Sequence, residues 1–259
     1  MFDMIDEDTA HKYTCFVLIF LAPIVFYVLM GGQKAEYGRY SKPKSGIMKP
    51  IIPGRMDWFL HSTSLLSVFN ALQKTSSDEW KNHANLYILG MFVLHYIWRS
   101  IGFAFMVQSP KPMSIPLAIS TSGFCFLNGW LQSRSAIYYD AIEVGPRFYF
   151  GAFLFFSGWA INFSSDLILI NLRSGPEDKG YYIPKGFMFE YVSGANFFGE
   201  CVEWFGFAIA SNFMLAPLTF SVFTFSNLAP RAYQHHTWYL NKFKEEYPKN
   251  RKALIPFLF

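Results

Sequence analysis

Charged side chains are scarce in this sequence of 259 residues, because Asp, Glu, Lys and Arg together make up only 15% of it. A soluble domain covers its surface with more charge than that. Hydrophobic residues reach 52% and aromatic residues 20%, including 30 phenylalanines. The shortage of charge and the surplus of apolar residues exclude an ordinary soluble domain and predict an integral membrane protein.

Cysteine is also rare, and the three residues Cys15, Cys125 and Cys201 all lie in apolar stretches. An odd and dispersed set argues against a disulfide framework and against a zinc site. The sequence contains no G-x-G-x-x-G after a strand, no G-x-x-x-x-G-K-[ST] and no H-E-x-x-H. Neither a Rossmann site, a P-loop nor a metal site is therefore expected. We expect no nucleic-acid partner and a monomer.

Long apolar windows are what the sequence does have. They are Tyr13–Met30, Trp58–Leu72, Leu86–Val107, Ile115–Leu131, Phe148–Ile170 and Phe187–Leu228. A helix needs about 20 mainly apolar residues to span a bilayer, so the last window is long enough to cross twice. Ser211, Asn212 and Pro217 inside it are compatible with a break.

Basic loops predict the orientation, because positively charged loops stay cytoplasmic. Lys and Arg are concentrated in residues 31–57 and in the tail after Pro230, whereas the N-terminus is acidic. Both basic segments are cytoplasmic only if the chain crosses seven times, with its N-terminus outside or lumenal and its C-terminus cytoplasmic. We predict an all-α, multi-pass integral membrane protein with seven transmembrane helices in one domain over 1–259. The membrane is a bacterial inner membrane or that of the endoplasmic reticulum.

Polar residues interrupt the apolar windows, where each one is costly. Asn162 and Asp166 are four apart and share one helix face, and Asn196 and Glu200 repeat that spacing. Other polar groups in the windows are His95, Tyr96, Arg99, Asn128 and Glu203. A single such residue is explained equally well by a hydrogen bond between helices. Several clusters toward the cytoplasmic side instead favour a shared polar cavity.

Arginines on the same side fit such a cavity, since guanidinium groups bind phosphates bidentately. Arg173, Arg231 and Arg251 are the candidates, and anchoring to anionic membrane lipid is the alternative. His235 and His236 are adjacent, so on a helix they point about 100° apart and make a poor chelating pair.

The C-terminal region carries long motifs that resemble the steroid 5α-reductase family. They are Y-x-I-P-x-G, V-S-G-A-N-F-x-G-E-x-x-E-W, R-A-x-x-H-H-x-W-Y and Y-P-x-x-R-K-A-x-I-P-F-x-F. Weaker similarity extends forward through FCFLNGWLQSR, VLHYIWRS and EYGRY. The resemblance implies a seven-helix membrane enzyme that uses NADPH to reduce the 4,5 double bond of a 3-oxo-4-ene steroid. Residues 148–259 would be its cofactor-binding region, and 1–147 mainly its substrate side.

The resemblance also implies which residues act. Cofactor contacts carry over onto Asn162, Asp166, Arg173, Tyr181, Asn196, Glu200, Arg231, His235, Tyr239 and Arg251. Tyr182 is a possible substitute for Tyr181, and Arg99 and Lys111 are weaker candidates for the phosphates. His235, Arg231 and Tyr239 are spaced by four, whereas His236 falls off their face and is expected to be structural.

One departure from the family pattern concerns the substrate carbonyl. The family has a Gln-Glu pair in its second span, and the glutamate and a tyrosine bind the 3-keto oxygen. Here the tyrosine is Tyr96, but the pair is His61 and Ser62. We expect Tyr96 to polarise the carbonyl, aided by His61 or Ser62, with Trp58 lining an apolar slot for the steroid.

Three alternatives stay open at this point. The chain could reduce another lipid, such as an enoyl thioester or a polyprenol. It could bind NADPH or a lipid without turnover, since the glutamate is replaced by Ser62. Without the resemblance, a transporter would rank level with an enzyme.

Overall fold

The structure, a computed structural model, is built from helices. It describes residues 6–33, 51–75, 84–108, 113–138, 142–175, 177–178 and 180–259. One short antiparallel pairing joins β1 (Ile51–Ile52) to β2 (Met113–Ser114), with Ile51 opposite Ser114. The described residues form two compact units, and each is described by itself.

The first unit comprises residues 6–32, 142–163 and 186–259 of the described chain. Its helices are α1 (Glu7–Met30), the larger part of α7 (Pro146–Asn171), α8 (Ala195–Ala210) and α9 (Leu215–Phe243). Short 3-10 turns at Phe187–Glu190 and Lys244–Glu246 flank α8 and α9.

Helix α1 begins at a well-formed cap and packs on α9. The Asp6 carboxylate accepts a hydrogen bond from the Thr9 backbone nitrogen at 2.9 Å, which satisfies one of the exposed donors of the first turn. At the other end, the Gln234 side chain donates to the Leu29 carbonyl at 2.6 Å. Eight large apolar side chains of α1 are exposed, among them Phe16, Phe20 and Tyr27, which suits a helix that faces lipid.

Helices α7 and α8 meet along four glycines, which we call the glycine seam: Gly151, Gly158, Gly199 and Gly206. They face each other in two pairs. A Cβ on Gly151 would lie 2.7 Å from the Gly206 carbonyl oxygen, and one on Gly199 would lie 2.8 Å from that of Gly158. The two backbones are therefore in direct contact, which glycine alone permits.

The long window Phe187–Leu228 contains two helices, as its predicted double crossing requires. The break lies at Ser211–Met214, where Asn212 and Phe213 have φ values of 57° and 55°. Pro217 does not cause it. This proline lies in the first turn of α9, where a missing N–H leaves no hydrogen bond unmade.

The second unit comprises Gln33 and the described residues within 51–138 and 164–185. Its helices are α2 (Gly54–Leu60), α3 (Thr63–Lys74), α4 (Ala84–Ile97), α5 (Phe103–Met106), α6 (Ile115–Tyr138) and the end of α7. A π-helical turn, Trp98–Gly102, joins α4 to α5.

The apolar window Trp58–Leu72 is divided between α2 and α3 by a turn at His61 and Ser62. Helix α3 then packs closely on α6. The Thr63 hydroxyl donates to the Ser122 carbonyl at 2.9 Å, and a Cβ on Gly129 would lie 2.9 Å from the Ser64 Cα. The turn therefore leads directly into a tight helix contact.

Three helical segments in the described part of the chain are long and apolar enough to cross a membrane: Glu7–Met30, Ala84–Met106 and Pro146–Asn171. The prediction of a helical membrane protein is confirmed. Seven crossings, the orientation of the termini and the single domain stay predictions.

The glycine seam gives a direct test of packing. Gly199→Ala places a methyl against the Asn162 backbone and the Gly158 carbonyl, so we expect a loss of about 1–3 kcal/mol in stability. Gly123→Ala is the matched control, because Gly123 lies in α6 with nothing within 4 Å of the added methyl. That variant should be neutral or slightly more stable. The measurement is thermal unfolding in detergent, and equal shifts for both variants would contradict the seam.

Candidate functional site

Tyr96 lies on α4 and is buried in the second unit. The Asn128 side-chain nitrogen, on α6, lies 3.3 Å from the Tyr96 hydroxyl oxygen and donates to it. The Gln132 side-chain nitrogen donates in turn to the Asn128 side-chain oxygen at 3.0 Å. We call these three residues the Tyr96 network. It fixes the position of the phenol that is predicted to polarise a substrate carbonyl.

The two residues that replace the family pair lie at the turn between α2 and α3. The Ser62 hydroxyl donates to the Phe59 carbonyl at 2.6 Å. The His61 ring stacks on the Trp58 indole, with centroids 5.3 Å apart and planes 21° apart. Each side chain is thus engaged within its own segment. The catalytic role of His61 and Ser62 stays a prediction.

Trp58 also contacts the π-helical turn. The Arg99 guanidinium lies over its ring at 5.0 Å, and Arg99 forms an ion pair with Asp166 at 3.4 Å. Asp166 is only 1% exposed, so a positively charged partner is needed to stabilise its carboxylate there. π-Helical turns are frequent at functional sites, and this one places Arg99 between an aromatic ring and a buried carboxylate.

The loop after α7 is organised by Asp178. Its carboxylate accepts hydrogen bonds from the Gly180 and Ser174 backbone nitrogens at 2.9 and 3.1 Å and from the Tyr182 hydroxyl at 3.0 Å. These donors, Gly180 first, lower the pKa of Asp178. Arg173 donates to the Gly180 carbonyl and lies over the Tyr181 ring at 5.5 Å. Arg173 therefore contacts the Tyr181 ring, whereas the Tyr182 hydroxyl is hydrogen-bonded to Asp178.

Lys111, the weaker phosphate candidate, lies outside the described residues.

Asn162 and Asn196 meet in the first unit, next to the glycine seam. The Asn162 side-chain nitrogen donates to the Asn196 backbone carbonyl at 2.9 Å. Within the described part of the chain, the Asn162 side-chain oxygen is buried and has no hydrogen-bond partner. A buried acceptor in this state is costly unless a ligand donates to it. A ligand group that carries an N–H or O–H fits this requirement. Glu200 lies one turn further along α8.

Helix α9 carries Arg231, His235 and Tyr239, and it is continuous through all three. The His235 ring contacts Phe197 of α8 at a centroid distance of 5.3 Å. The Tyr239 ring stacks on Tyr247 at 5.2 Å with planes 8° apart. Arg231, His235 and Tyr239 therefore lie along one face of α9, as their spacing by four predicts.

Arg251 reaches the same stack from the C-terminal tail. Its guanidinium lies over the Tyr247 ring at 5.4 Å and 3.8 Å from the Glu190 carboxylate. Although charged, Arg251 is only 2% exposed. Tyr247 thus joins two residues, Tyr239 and Arg251, that were predicted to contact the cofactor.

The tail is fixed by a hydrogen-bond network of Ser193, His236 and Tyr247, which we call the tail network. The Ser193 hydroxyl oxygen lies 2.6 Å from the His236 Nδ1 and 2.6 Å from the Tyr247 hydroxyl oxygen. Backbone bonds reinforce it, from Ser193 nitrogen to the Lys252 carbonyl at 2.8 Å and from Gly194 nitrogen to the Ala253 carbonyl at 3.0 Å.

Burial keeps the tail network neutral. It raises the pKa of Tyr247 and lowers the pKa of His236 from its ordinary 6.5. The unfolded chain then takes up a proton at His236 more readily than the folded chain, so the network loses stability as the pH falls below 6.5. Sequence reasoning missed Ser193 and Tyr247 as positioning residues, although both stand in the V-S-G-A-N and Y-P-x-x-R motifs.

Tyr247→Phe tests the tail network. The variant keeps the ring stack but removes a buried hydroxyl, so we expect a loss of about 1 kcal/mol in stability. Tyr182→Phe is the control, because its hydroxyl donates to Asp178 within an exposed loop. The measurement is the unfolding temperature in detergent at pH 7. A larger shift for Tyr182→Phe would show that the tail is fixed in another way.

Comparison with known proteins agrees with these motifs. A family model described as 3-oxo-5-alpha-steroid 4-dehydrogenase matches residues 111–259. The Mus musculus 3-oxo-5-alpha-steroid 4-dehydrogenase 1 is 41% identical over 93% of this chain and 95% of its own length. The Bos taurus protein of that name is 42% identical over 91% and 92%. The Mus musculus 3-oxo-5-alpha-steroid 4-dehydrogenase 2 is 36% identical over 92% and 94%. The resemblance and the prediction of an oxidoreductase are confirmed, and the chain belongs to the 3-oxo-5-alpha-steroid 4-dehydrogenase family.

Proposed function

We propose that the protein reduces the 4,5 double bond of a 3-oxo-4-ene steroid, with NADPH as the reductant. The observation that carries the proposal is the buried Tyr96 hydroxyl, fixed by Asn128, in a chain that belongs to this family. A fixed donor in a site of low dielectric is what polarisation of a ketone requires.

The proposed reaction is a conjugate reduction. NADPH, when bound, supplies a hydride to C5 of the steroid. Electrons move from the double bond toward the carbonyl, so that negative charge develops on the 3-keto oxygen. The Tyr96 hydroxyl donates a hydrogen bond to that oxygen and stabilises the charge of the enolate. C4 then takes up a proton from water, and the 3-keto group forms again. Removing one such donor typically costs about 10²–10³ in rate.

A second donor to the oxygen is proposed from His61 or Ser62, since they stand at the positions of the family's Gln-Glu pair. Trp58 is proposed to line the steroid slot from its place beside His61.

The residues proposed to bind NADPH divide by chemistry. Asn162 offers a buried acceptor oxygen, and Asn196 and Glu200 offer further polar groups on α8. Arg173, Arg231 and Arg251 offer guanidinium groups, which suit phosphate oxygens. Asp166, Tyr181, His235 and Tyr239 complete the set.

We also propose seven crossings with a cytoplasmic C-terminus, and a monomer in the lipid bilayer.

One observation favours a second candidate. Because Ser62 replaces the glutamate, the same mechanism could serve another lipid substrate, such as an enoyl thioester or a polyprenol. A chain that binds NADPH without turnover is the limiting case.

Product analysis tests the reaction. Purified protein with NADPH should convert progesterone or testosterone to its 5α-dihydro product, detected by mass spectrometry. Tyr96→Phe should abolish turnover while NADPH affinity stays nearly unchanged, because the phenol acts on the steroid. Binding of NADPH with no product from any 4-ene-3-one would favour the second candidate. A fully active Tyr96→Phe enzyme would show that Tyr96 is not the oxygen donor.

Substitution of the two adjacent histidines should have different effects on NADPH affinity. We expect His235→Ala to weaken NADPH binding about tenfold, since His235 lies on the face of Arg231 and Tyr239. His236→Ala should mainly lower the unfolding temperature, because His236 bonds to Ser193. Fluorescence titration with NADPH, beside thermal unfolding of each variant, is the measurement. A greater loss of affinity from His236→Ala would reverse the assignment.

A further inference from the structure

We propose that Asn128 and Gln132 are positioning residues for the oxygen donor Tyr96, and that Asn128 supplies a hydrogen bond that supports this donor. The inference deepens the proposed function and rests on it. Asn128 acts through Tyr96, so its effect is on the strength and direction of that donor.

The geometry gives each residue one task. Asn128 and Gln132 are four apart on α6, so their side chains share one face of the helix. The Gln132 nitrogen donates to the Asn128 oxygen at 3.0 Å, which determines which end of the Asn128 amide points at Tyr96. The Asn128 nitrogen is that end, and it donates to the Tyr96 hydroxyl oxygen at 3.3 Å.

The surroundings make this network effective. Tyr96, Asn128 and Gln132 are 4%, 2% and 3% exposed. Hydrogen bonds in such a site of low dielectric polarise one another. A phenol that accepts from an amide becomes a stronger donor through its own O–H. As negative charge develops on the substrate oxygen, part of that charge is transferred to the Tyr96 oxygen through their hydrogen bond. The Asn128 N–H then stabilises the negative charge on the Tyr96 oxygen.

The residues at the positions of the family pair make contacts within their own segment. The Ser62 hydroxyl donates to the Phe59 carbonyl at 2.6 Å, and this bond would have to break before Ser62 could reach a substrate. The His61 ring is stacked on Trp58. Both contacts stabilise the turn between α2 and α3. The bond to the Tyr96 hydroxyl oxygen at 3.3 Å comes from Asn128 of α6.

Asn85 provides a matched control. It is also a buried asparagine on the α4–α6 contact, and its side-chain nitrogen donates to the Ala136 carbonyl at 2.9 Å. Asn128→Leu and Asn85→Leu each remove one buried amide of the same unit. The first removes the bond to Tyr96, and the second removes the bond to the Ala136 carbonyl. Gln132→Met keeps the side-chain volume and leaves Asn128 in place. This variant therefore tests the network even if Asn128→Leu fails to fold.

The kinetic test separates positioning from general stability. For the 4-ene-3-one that the wild type reduces, we expect Asn128→Leu to lower kcat about tenfold while KM for NADPH changes less than twofold. Gln132→Met should lower kcat about threefold, since the Asn128 amide is then free to rotate. Asn85→Leu should lower the unfolding temperature but leave the kcat of the folded protein unchanged. Equal kcat losses for Asn128→Leu and Asn85→Leu would overturn the inference.

A second readout does not need turnover. With tyrosines labelled with ¹³C at Cζ, the Tyr96 signal is identified by its loss in Tyr96→Phe. Its chemical shift reports hydrogen bonding at the phenol oxygen. Asn128→Leu and Gln132→Met should shift this signal, and Asn85→Leu should not. An unmoved signal in both network variants would overturn the inference. Failure of the wild type to reduce any 4-ene-3-one would instead contradict the proposed function, and the Tyr96 shift would still decide the network.

Discussion

Direct backbone contact between α7 and α8 is the interaction on which the first unit depends. Inside a bilayer, lipid tails are as apolar as the side chains, so helices associate through close packing and hydrogen bonds. Gly158 and Gly199 provide that packing, and one turn further along α7 the Asn162 side chain reaches the Asn196 carbonyl. The polar contact proposed for the cofactor is thus a consequence of the seam. A side chain on either glycine would separate the two asparagines as well as the helices.

The C-terminal tail depends on a second constraint, which is the satisfaction of buried polar groups. Arg251 is buried beside Tyr247, and Tyr247 is held by both a hydroxyl bond to Ser193 and a ring stack on Tyr239. Since Ser193 also bonds to His236, the tail, α9 and the segment before α8 share one network. A guanidinium positioned in this way loses little conformational freedom on binding a phosphate, which is the physical meaning of preorganisation.

Much of the fold could be predicted from the sequence, because apolar windows and spacing by four are local properties. The window Phe187–Leu228 is long enough for two helices, and it contains α8 and the first part of α9, although its double crossing stays a prediction. Arg231 and Tyr239 lie on the one helix α9. Features set by distant partners could not be predicted. The turn at His61 and Ser62 depends on the packing of α3 against α6. Glycines seven residues apart show no pairing until the register of α7 against α8 is known. Asn128 was noticed as a polar residue, but its partner Tyr96 is 32 residues away.

Buried polar residues of the described chain differ in how far their hydrogen-bonding groups are satisfied. Asp166 has Arg99, Asn85 has the Ala136 carbonyl and Asn128 has Gln132, so these groups are stabilised within the protein. Asn162 differs, because its buried oxygen has no hydrogen-bond partner in the described part of the chain. An acceptor left in this state destabilises the protein by about 1–3 kcal/mol. A ligand that donates to this oxygen recovers that free energy only when it binds. This oxygen is therefore suited to accept from an N–H or O–H of a ligand, which agrees with the contact proposed between Asn162 and the cofactor.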